Sequence, residues 1–581
     1  MYALALASIS IAGFFLAYVF YSKFLSGKLF PVLELRNLPS HELEDGIDYV
    51  PTRRSVLFGH HFVSIAGLGP IMGPAIAVIW GWLPAFLWVF FGAIFLGAVH
   101  DFGALYISLK SDGRSIGDVA RDLIGLRAGT LFMVIIFFLL ALAMGVFALI
   151  IATLLSEGYY PQAVIPVFSL MVIAMVIGTL VYKKGVGIFK ATVFGVAAMF
   201  VMIYVGMLFP VTGISKDAWI CILLVYAYFA SSLPVWLLLQ PRDYLNSFQL
   251  YAGVALMYVG LLCVPALKIV APAVNTASGK LPSLFPFLFI TVACGAISGF
   301  HSLVSSGTTA KQLSNPRDAR FIGYGGMLAE GLLAVIVIIA CTATYASTDA
   351  WHARYSSWEA MDKLGPKLES FISGAASFIS RLGVPEEFAA VFMSVIVVGF
   401  AMTTLDSATR LLRYNIQELG RTFHVKLAKN RYCASLVAVV AIGYFALMKV
   451  SVHDPVTGLV TTKETGLILW QLFGSTNQLL AALGLLAVTV YLFQRRRPTV
   501  YTLVPMLFMI VVTVTALLMK IRSFWIEGSW PLLVISSVIL LMSIWLIIEA
   551  IIVSRRYALE VGRSKRIRKA SGKEKQTSLF R

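Results

Sequence analysis

Apolar stretches close to the length of a bilayer recur along this chain, and no other feature of the sequence restricts its fold as strongly. About 20 helical residues at 1.5 Å each cross a hydrocarbon layer. Fifteen such spans stand at roughly 2–22, 56–79, 82–108, 130–155, 163–182, 187–209, 218–239, 248–270, 285–305, 322–346, 388–409, 433–449, 466–491, 501–519 and 530–553. Lipid offers no partner to an open backbone group, so each span must satisfy its N–H and C=O groups internally, as a helix. The strands of a membrane barrel alternate apolar and polar residues, and these spans do not. Soluble chains carry charge at about a quarter of their positions; here 13% are charged and 59% are hydrophobic. The sequence predicts an all-α polytopic membrane protein.

The loops alternate in charge. Lys23, Lys28, Arg36, Arg53 and Arg54 follow the first span, Lys110, Arg114, Arg121 and Arg127 the third, and Lys183, Lys184 and Lys190 the fifth. Arg242, then Lys311, Arg317 and Arg320, then Arg410 through Arg431 and Arg495 to Arg497 continue the series, while the early even-numbered loops are nearly free of Lys and Arg. Basic loops stay in the cytoplasm, so the N-terminus is placed outside and the tail SRRYALEVGRSKRIRKASGKEKQ inside. This bias accounts for the net charge of +18. Nucleic acid is therefore not an expected partner, whereas membrane lipid is, with the basic tail against anionic headgroups. The first 22 residues lack a basic leading segment and a cleavage site, and read as a retained helix. The longest polar segments, 23–55 and 347–387, are read as linkers, the second with an amphipathic helix near Leu368–Leu382. Cys221, Cys263, Cys294, Cys341 and Cys433 form no C-x-x-C pair and lie in or beside apolar runs. They read as small buried hydrophobes, not as a disulfide or metal framework.

Two spans are interrupted. The second carries Gly67, Gly69, Pro70, Gly73 and Pro74 at its centre, and the seventh carries Ser231, Ser232 and Pro234. Proline removes an N–H and clashes with the preceding turn, and glycine adds backbone freedom. Unwound backbone at membrane depth is tolerated where it lines a cavity or packs on protein. Four full spans separate the two, so spans 2–6 and 7–11 form two sets of five. Five is odd, which makes the second set inverted. Paired broken helices opening inverted repeats point to the substrate site of a secondary transporter. The string Gly67-Leu-Gly69-Pro-Ile-Met-Gly73 has the wrong spacing for a dinucleotide loop and lies inside a span.

Seven segments, DYVPTRRSVLFGHHF (48–62), AGLGPIMGP (66–74), DFGALYISLKSDGRSIGDV (101–119), SSLPVWLLLQPRDYL (231–245), SGFHSLVSSGTTAKQL (298–313), TTLDSATRLLRY (403–414) and WQLFGSTNQLLAA (470–482), resemble the carbon starvation protein A family of bacterial nutrient transporters. They appear in order through most of residues 30–490. His100 stands where glutamine is expected in many members. The resemblance implies the leucine-transporter-like core of the amino acid–polyamine–organocation superfamily. That core is a 5+5 inverted repeat, here with one extra N-terminal and about four extra C-terminal helices. The division expected is 1–55 (first helix and linker), 56–210 and 211–412 (repeats), 413–553 (accessory helices) and 554–581 (tail). The resemblance also implies import of peptides or pyruvate across a bacterial inner membrane, with proton coupling and no cofactor.

Several residues are candidates for the chemistry. Unwound segments at Gly67, Gly69, Pro70, Gly73 and Pro74 and at Ser231, Ser232 and Pro234 would offer N–H groups to a substrate carboxylate. For ion coupling the candidates are Asp101, His100, His60 and His61, ionisable groups within or near spans, and the hydroxyls Ser305, Ser306 and Thr309. In sodium-coupled relatives the eighth core helix supplies hydroxyls to sodium beside the broken first helix, and the ninth span would be that helix. Protons are the expected coupling ion and sodium the alternative. His60 and His61 also fit an interfacial position. Asp406 and Arg410, four apart, are expected to pair locally near an inner gate. An intramembrane metal enzyme built on His60, His100 and His301 lacks any H-E-x-x-H or G-x-S-x-G pattern. A signalling receptor lacks an output domain.

Overall fold

The computed structural model describes residues 1–577 except 36, 277–280, 359–363, 454–459 and 465. Its helices are α1 (Ala3–Lys28), α2 (Arg54–Ile65), α3 (Gly69–Trp80), α4 (Trp82–Leu109), α5 (Ile116–Ile124), α6 (Leu126–Leu155), α7 (Pro161–Val181) and α8 (Ile188–Leu208). The chain continues with α9 (Lys216–Ser232), α10 (Leu239–Leu262), α11 (Leu284–Thr291), α12 (Gly299–Val304), α13 (Arg320–Ala343), α14 (Leu364–Ser380) and α15 (Glu386–Thr422). It closes with α16 (Arg431–Leu447), α17 (Leu472–Gln494), α18 (Val500–Ile526) and α19 (Trp530–Tyr557). One antiparallel hairpin, Lys449–His453 with Val460–Glu464, joins α16 to α17.

All fifteen predicted spans fall on helical segments. Among the described residues, eleven helices are individually long and apolar enough to cross a membrane, and the pair α2–α3, bent by 43°, makes a twelfth. The other three are α9 and α16, of 17 residues each, and the interrupted α11–α12. The predicted amphipathic helix is α14. The last four residues of the predicted tail lie outside the described residues.

The loops sort to two ends as their charge predicted. At one end Thr52 bridges to Leu313, Val235 N–H donates to Ile47 O, Tyr49 to Asp112 O, and Arg497 to Leu29 O. At the other, Tyr2 bridges to Lys268, Asn275 N–H donates to Trp80 O, and Val270 N–H to Thr342 O. The first is the basic end.

In the centre α6 packs along α15, the two most extensively packed helices of the bundle. Partners recur in a crossed pattern: α2 packs on α10 and α12 on α17, while α16 packs on α6 and α9 on α15. α7 and α8 pack on each other and on α10, at the flank of this arrangement. Val193, Phe194 and Val201 of α8, and Val504 and Val511 of α18, point outward. Outward apolar side chains suit a lipid surround, since lipid tails are as apolar as leucine.

Candidate functional site

α2 unwinds at Ala66, whose ψ is 37°, and α3 resumes at Gly69 with Pro70 in its first turn. Proline suits that position because its missing N–H is one that no helix satisfies there. The second span is thus broken at residues 66–68; of the residues expected to be unwound there only Gly67 is, while Gly69, Pro70, Gly73 and Pro74 lie in α3, where proline in the first turn starts the helix instead of breaking it. Facing it is a second break that the sequence reading did not find. α11 ends at Thr291, residues 292–298 leave the helix with Gly295 at φ +92°, and α12 begins at Gly299. The first turns of α3 pack closely on this second break, while Gly67 in the first break faces Thr404 and Phe147. A side chain on Gly69 would collide with Cys294, one on Gly73 would lie 2.7 Å from Thr291 O and 3.1 Å from Val292 Cα, and one on Gly295 would meet Ala334.

The freed backbone groups of 289–300 find partners from distant helices. Trp88 Nε1 donates to Val292 O (3.1 Å) and Gln478 Nε2 to Phe289 O (3.0 Å). Asn477 Oδ1 accepts from Phe300 N–H (2.8 Å) and Glu330 Oε1 from Gly295 N–H (3.0 Å). Such groups left unpaired in a membrane interior would cost several kcal/mol each, on the order given for polar groups in hydrocarbon.

The expected break in the seventh span is corrected by the structure. Ser231, Ser232 and Pro234 end α9 rather than interrupt it. Leu233 is extended, as a residue before proline tends to be, and α10 starts six residues later. Ser231 and Ser232 both hydrogen-bond Ser435 of α16 at 3.1 Å, on other helices than those around the two breaks.

The hydroxyls are redistributed as well. The helix that lays hydroxyls on the break of the second span is α15: Ser407 Oγ lies 3.2 Å from Ser64 Oγ, and Thr404 crowds Gly67. Ser305, Ser306 and Thr309 form one wide helical turn after α12. Thr309 Oγ1 bonds His61 Nδ1 at 2.8 Å, and Ser306 Oγ accepts from Ile116 N–H. His60 and His61 are fully buried within the bundle.

Two buried ionic clusters flank the breaks. In one, Asp101 accepts from His100 Nδ1 and from His301 Nδ1, both at 2.8 Å, and His301 Nε2 lies 3.2 Å from Glu330 Oε2. In the other, His60 Nδ1 lies 2.6 Å from Asp243 Oδ2, while Arg242 grips Asp243 Oδ1 through Nε (3.0 Å) and Nη2 (2.6 Å). Arg242 also contacts Asp406 and donates to Tyr226 OH at 2.7 Å. Asp406 therefore pairs with Arg242, not with Arg410. The i,i+4 rule gave way because α10 delivers a guanidinium fork to the same carboxylate. Arg242 and Asp243 lie in the family motif 231–245, where the sequence marks them only as the inner end of a span, and Tyr226 carries no pattern of its own.

Arg410 works at the basic end. Its Nη2 donates to Ala230 O and Leu233 O, closing the C-terminus of α9, and its Nη1 reaches Asp48 Oδ1 at 3.3 Å. Arg413 Nη2 (3.3 Å) and Tyr414 OH (2.6 Å) meet the same oxygen, and Lys311 lies over the Tyr414 ring at 3.9 Å. Burial by itself would raise the Asp48 pKa, but Arg413, Arg410 and Lys311 outweigh it and hold the carboxyl at about 2, below its usual 3.8. A lowered folded-state pKa gives stability that is fully present above the unfolded value and lost as pH falls through the folded one. This clasp should therefore stabilise the protein by about 2 kcal/mol at neutral pH and weaken between pH 4 and about 2. Asp48→Asn should melt at lower temperature than wild type at pH 7, with the difference vanishing near pH 2. An unchanged melting temperature at pH 7 would dismiss the clasp.

The site thus consists of two facing backbone breaks between two buried ionic clusters, with a charged clasp at the basic end. The chain is 32% identical to the peptide transporter CstA of Campylobacter jejuni, covering 88% of this chain and 79% of that one. It is 33% identical to the pyruvate/proton symporter BtsT of Escherichia coli K12, covering 90% and 81%. Among solved structures, MhsT in complex with L-phenylalanine is 12% identical with TM-score 0.47, covering 86% of this chain and 99% of that one. The family model for carbon starvation protein CstA matches residues 2–363 and 346–516, nearly the whole bundle that carries the two breaks, and the chain belongs to that family.

Proposed function

We propose that this protein imports a small carboxylate-bearing nutrient, a peptide or pyruvate, by proton-coupled alternating access. The observation that supports the reading is the pair of interrupted spans, α2–α3 and α11–α12, in which the first turns of α3 just past the first break pack on the second, Gly69 against Cys294 and Gly73 against Thr291 and Val292. Two broken spans packed together near their interruptions are what a solute site between inverted repeats calls for. The crossed packing supports repeats made of α2–α3, α4, α6, α9 and α10, and of α11–α12, α13, α15, α16 and α17. The boundaries are then about 54–262 and 284–494, with the α7–α8 hairpin inserted in the first repeat. These replace 56–210 and 211–412, because the partner of the broken second span is the ninth span. Gly67 to Pro74 remain the proposed substrate segment, joined by residues 292–298. The basic end faces the cytoplasm of the inner membrane and the N-terminus the periplasm, and the Asp48–Arg410 clasp acts as the inner gate.

The names of the two relatives supply peptide and pyruvate as substrates to test, and one of them is named a proton symporter. Within this chain the proposed coupling group is the His60–Asp243 pair. Asp243 and Asp406 carry two negative charges against one on Arg242, so the cluster reaches neutrality with one proton on His60. The pair is fully buried, and alternating access would open it first to one side of the membrane and then to the other. Sodium held by Thr404 and Ser407 beside Ser64 is the competing mechanism.

Uptake of labelled pyruvate and of a dipeptide into proteoliposomes distinguishes them. A pH gradient should drive uptake and a sodium gradient should not. His60→Gln should lose the gradient-driven part while keeping substrate counterflow. Sodium-driven uptake indifferent to pH would reject proton coupling, and no uptake of either solute under any gradient would reject the substrate class.

A further inference from the structure

We infer that Cys294, His301 and Glu330 form a binding site for a zinc-class transition-metal ion, which fastens the break after α11 to α13. Their donor atoms lie within 4.8 Å of one another and all three residues are buried. The sequence reading took Cys294 for a small hydrophobe; the fold places it on the unwound segment, against Gly69 of the opposite break.

Each donor is held from behind. His301 gives its Nδ1 to Asp101 at 2.8 Å, which leaves Nε2 as the free ring nitrogen, turned toward Glu330. Glu330 commits Oε1 to the Gly295 N–H at 3.0 Å, which leaves Oε2. Cys294 Sγ has Ser298 Oγ at 3.3 Å and Asn477 Nδ2 at 3.9 Å. A carboxylate behind the ligating histidine, an amide N–H behind the ligating carboxylate and a side-chain amide beside the sulfur are the outer contacts that orient metal ligands. His301 Nε2 and Glu330 Oε2 are buried 3.2 Å apart, an ion pair when the imidazole is charged, and neither has a partner of regular hydrogen-bond geometry among the described residues. A metal ion taking the place of the imidazolium proton would draw both atoms and the sulfur onto a common centre.

The donor set indicates the ion. One sulfur, one imidazole nitrogen and one carboxylate oxygen suit zinc or cobalt and not magnesium or calcium, which take oxygen. Three protein ligands leave the fourth tetrahedral position open. Binding replaces the thiol proton by the metal, and that proton leaves to solvent. A thiolate, a carboxylate and a neutral imidazole around a dication sum to zero charge, which lowers the cost of burial. Because the bound ion ties the break to α13, it opposes the separation of the two breaks. Micromolar zinc should therefore block uptake. This last arm depends on the transport reading above; the binding itself does not.

The test uses the purified full chain stripped of metal by a chelator and titrated with cobalt. One cobalt per chain should bind, with a sulfur-to-metal charge-transfer band in the ultraviolet that zinc displaces. Cys294→Ser should abolish the band. Asp101→Asn, acting through His301 as a positioning residue, should keep the band and weaken affinity by about 10–100-fold. Replacing Cys221, Cys263 and Cys433 by serine should leave the band in place. If Cys294→Ser does not fold, Glu330→Gln provides the second measurement and should weaken binding at least tenfold. No band in wild type, a band that survives Cys294→Ser, or full affinity in Glu330→Gln would each overturn the site. Zinc-insensitive uptake by a cobalt-binding wild type would overturn the fastening role.

Discussion

Gly73→Ala should abolish uptake while leaving the protein in the membrane. The added methyl group would stand 2.7 Å from Thr291 O and 3.1 Å from Val292 Cα. Both are backbone atoms of the opposing break, so no side chain can rotate away. Cβ contacts that short force the backbone apart, and overpacking of this kind costs roughly 1–3 kcal/mol. The cost falls on the contact between the two broken spans and not on the helices that anchor them. α3 itself tolerates alanine, which is a better helix former than glycine by about 1 kcal/mol. Gly69→Leu and Gly73→Leu should be at least as damaging, since leucine would also fill the space around Cys294. Gly27, a helical glycine with nothing within 4 Å of an added methyl group, is the control; Gly27→Ala should transport as wild type. The comparison is initial uptake rate at equal amounts of membrane-inserted protein. Wild-type rates in Gly73→Ala would remove the facing breaks from the mechanism.

Arg242→Met should cost the protein most of its stability. Arg242 is fully buried between Asp243 and Asp406 and also meets Tyr226. Methionine is similar in length and fills the space, so the loss is chiefly electrostatic: two carboxylates remain without their cation. Breaking a buried pair by removing one partner costs about 3–5 kcal/mol, a large part of the 5–15 kcal/mol that typically separates folded from unfolded protein. Arg242→Lys should fall between, since a point charge on a flexible stem cannot reproduce the fork that meets both carboxylates. Pairing Arg242→Met with Asp406→Leu should recover part of the loss, because one stranded charge is then gone. The measurement is thermal unfolding of the detergent-solubilised protein together with the yield of monodisperse material. An Arg242→Met protein as stable as wild type would show that the cluster contributes nothing to the fold.

Much of the architecture was legible without coordinates. Run length, the alternation of basic loops and the proline-glycine string at 67–74 are local properties of the chain, and each carries its consequence in any surroundings. An apolar run of bilayer length must be a helix because lipid leaves its backbone no other partner. This sufficed for the order of the helical segments, for the two ends of the bundle and for a break in the second span; among the described residues eleven of the fifteen expected spans, twelve with the bent pair, are long and apolar enough to cross a membrane. Seven ordered motifs sufficed for the family.

Which break meets which was decided by tertiary structure. Pro234 signals an interruption, yet it only ends α9, because Arg410, 176 positions later in the sequence, closes the helix on Ala230 O and Leu233 O. The segment 292–298 contains no proline, and its sequence, VACGAIS, reads as continuous helix. It unwinds because Trp88, Glu330, Asn477 and Gln478 supply the hydrogen bonds its own helix would have made. In the same way Asp406 has a suitable partner one turn away in Arg410 and takes Arg242 instead. Composition and spacing report what a residue does within its own helix. A buried polar group goes to whichever partner satisfies it best in the dry interior, and only the packed bundle decides which partner that is.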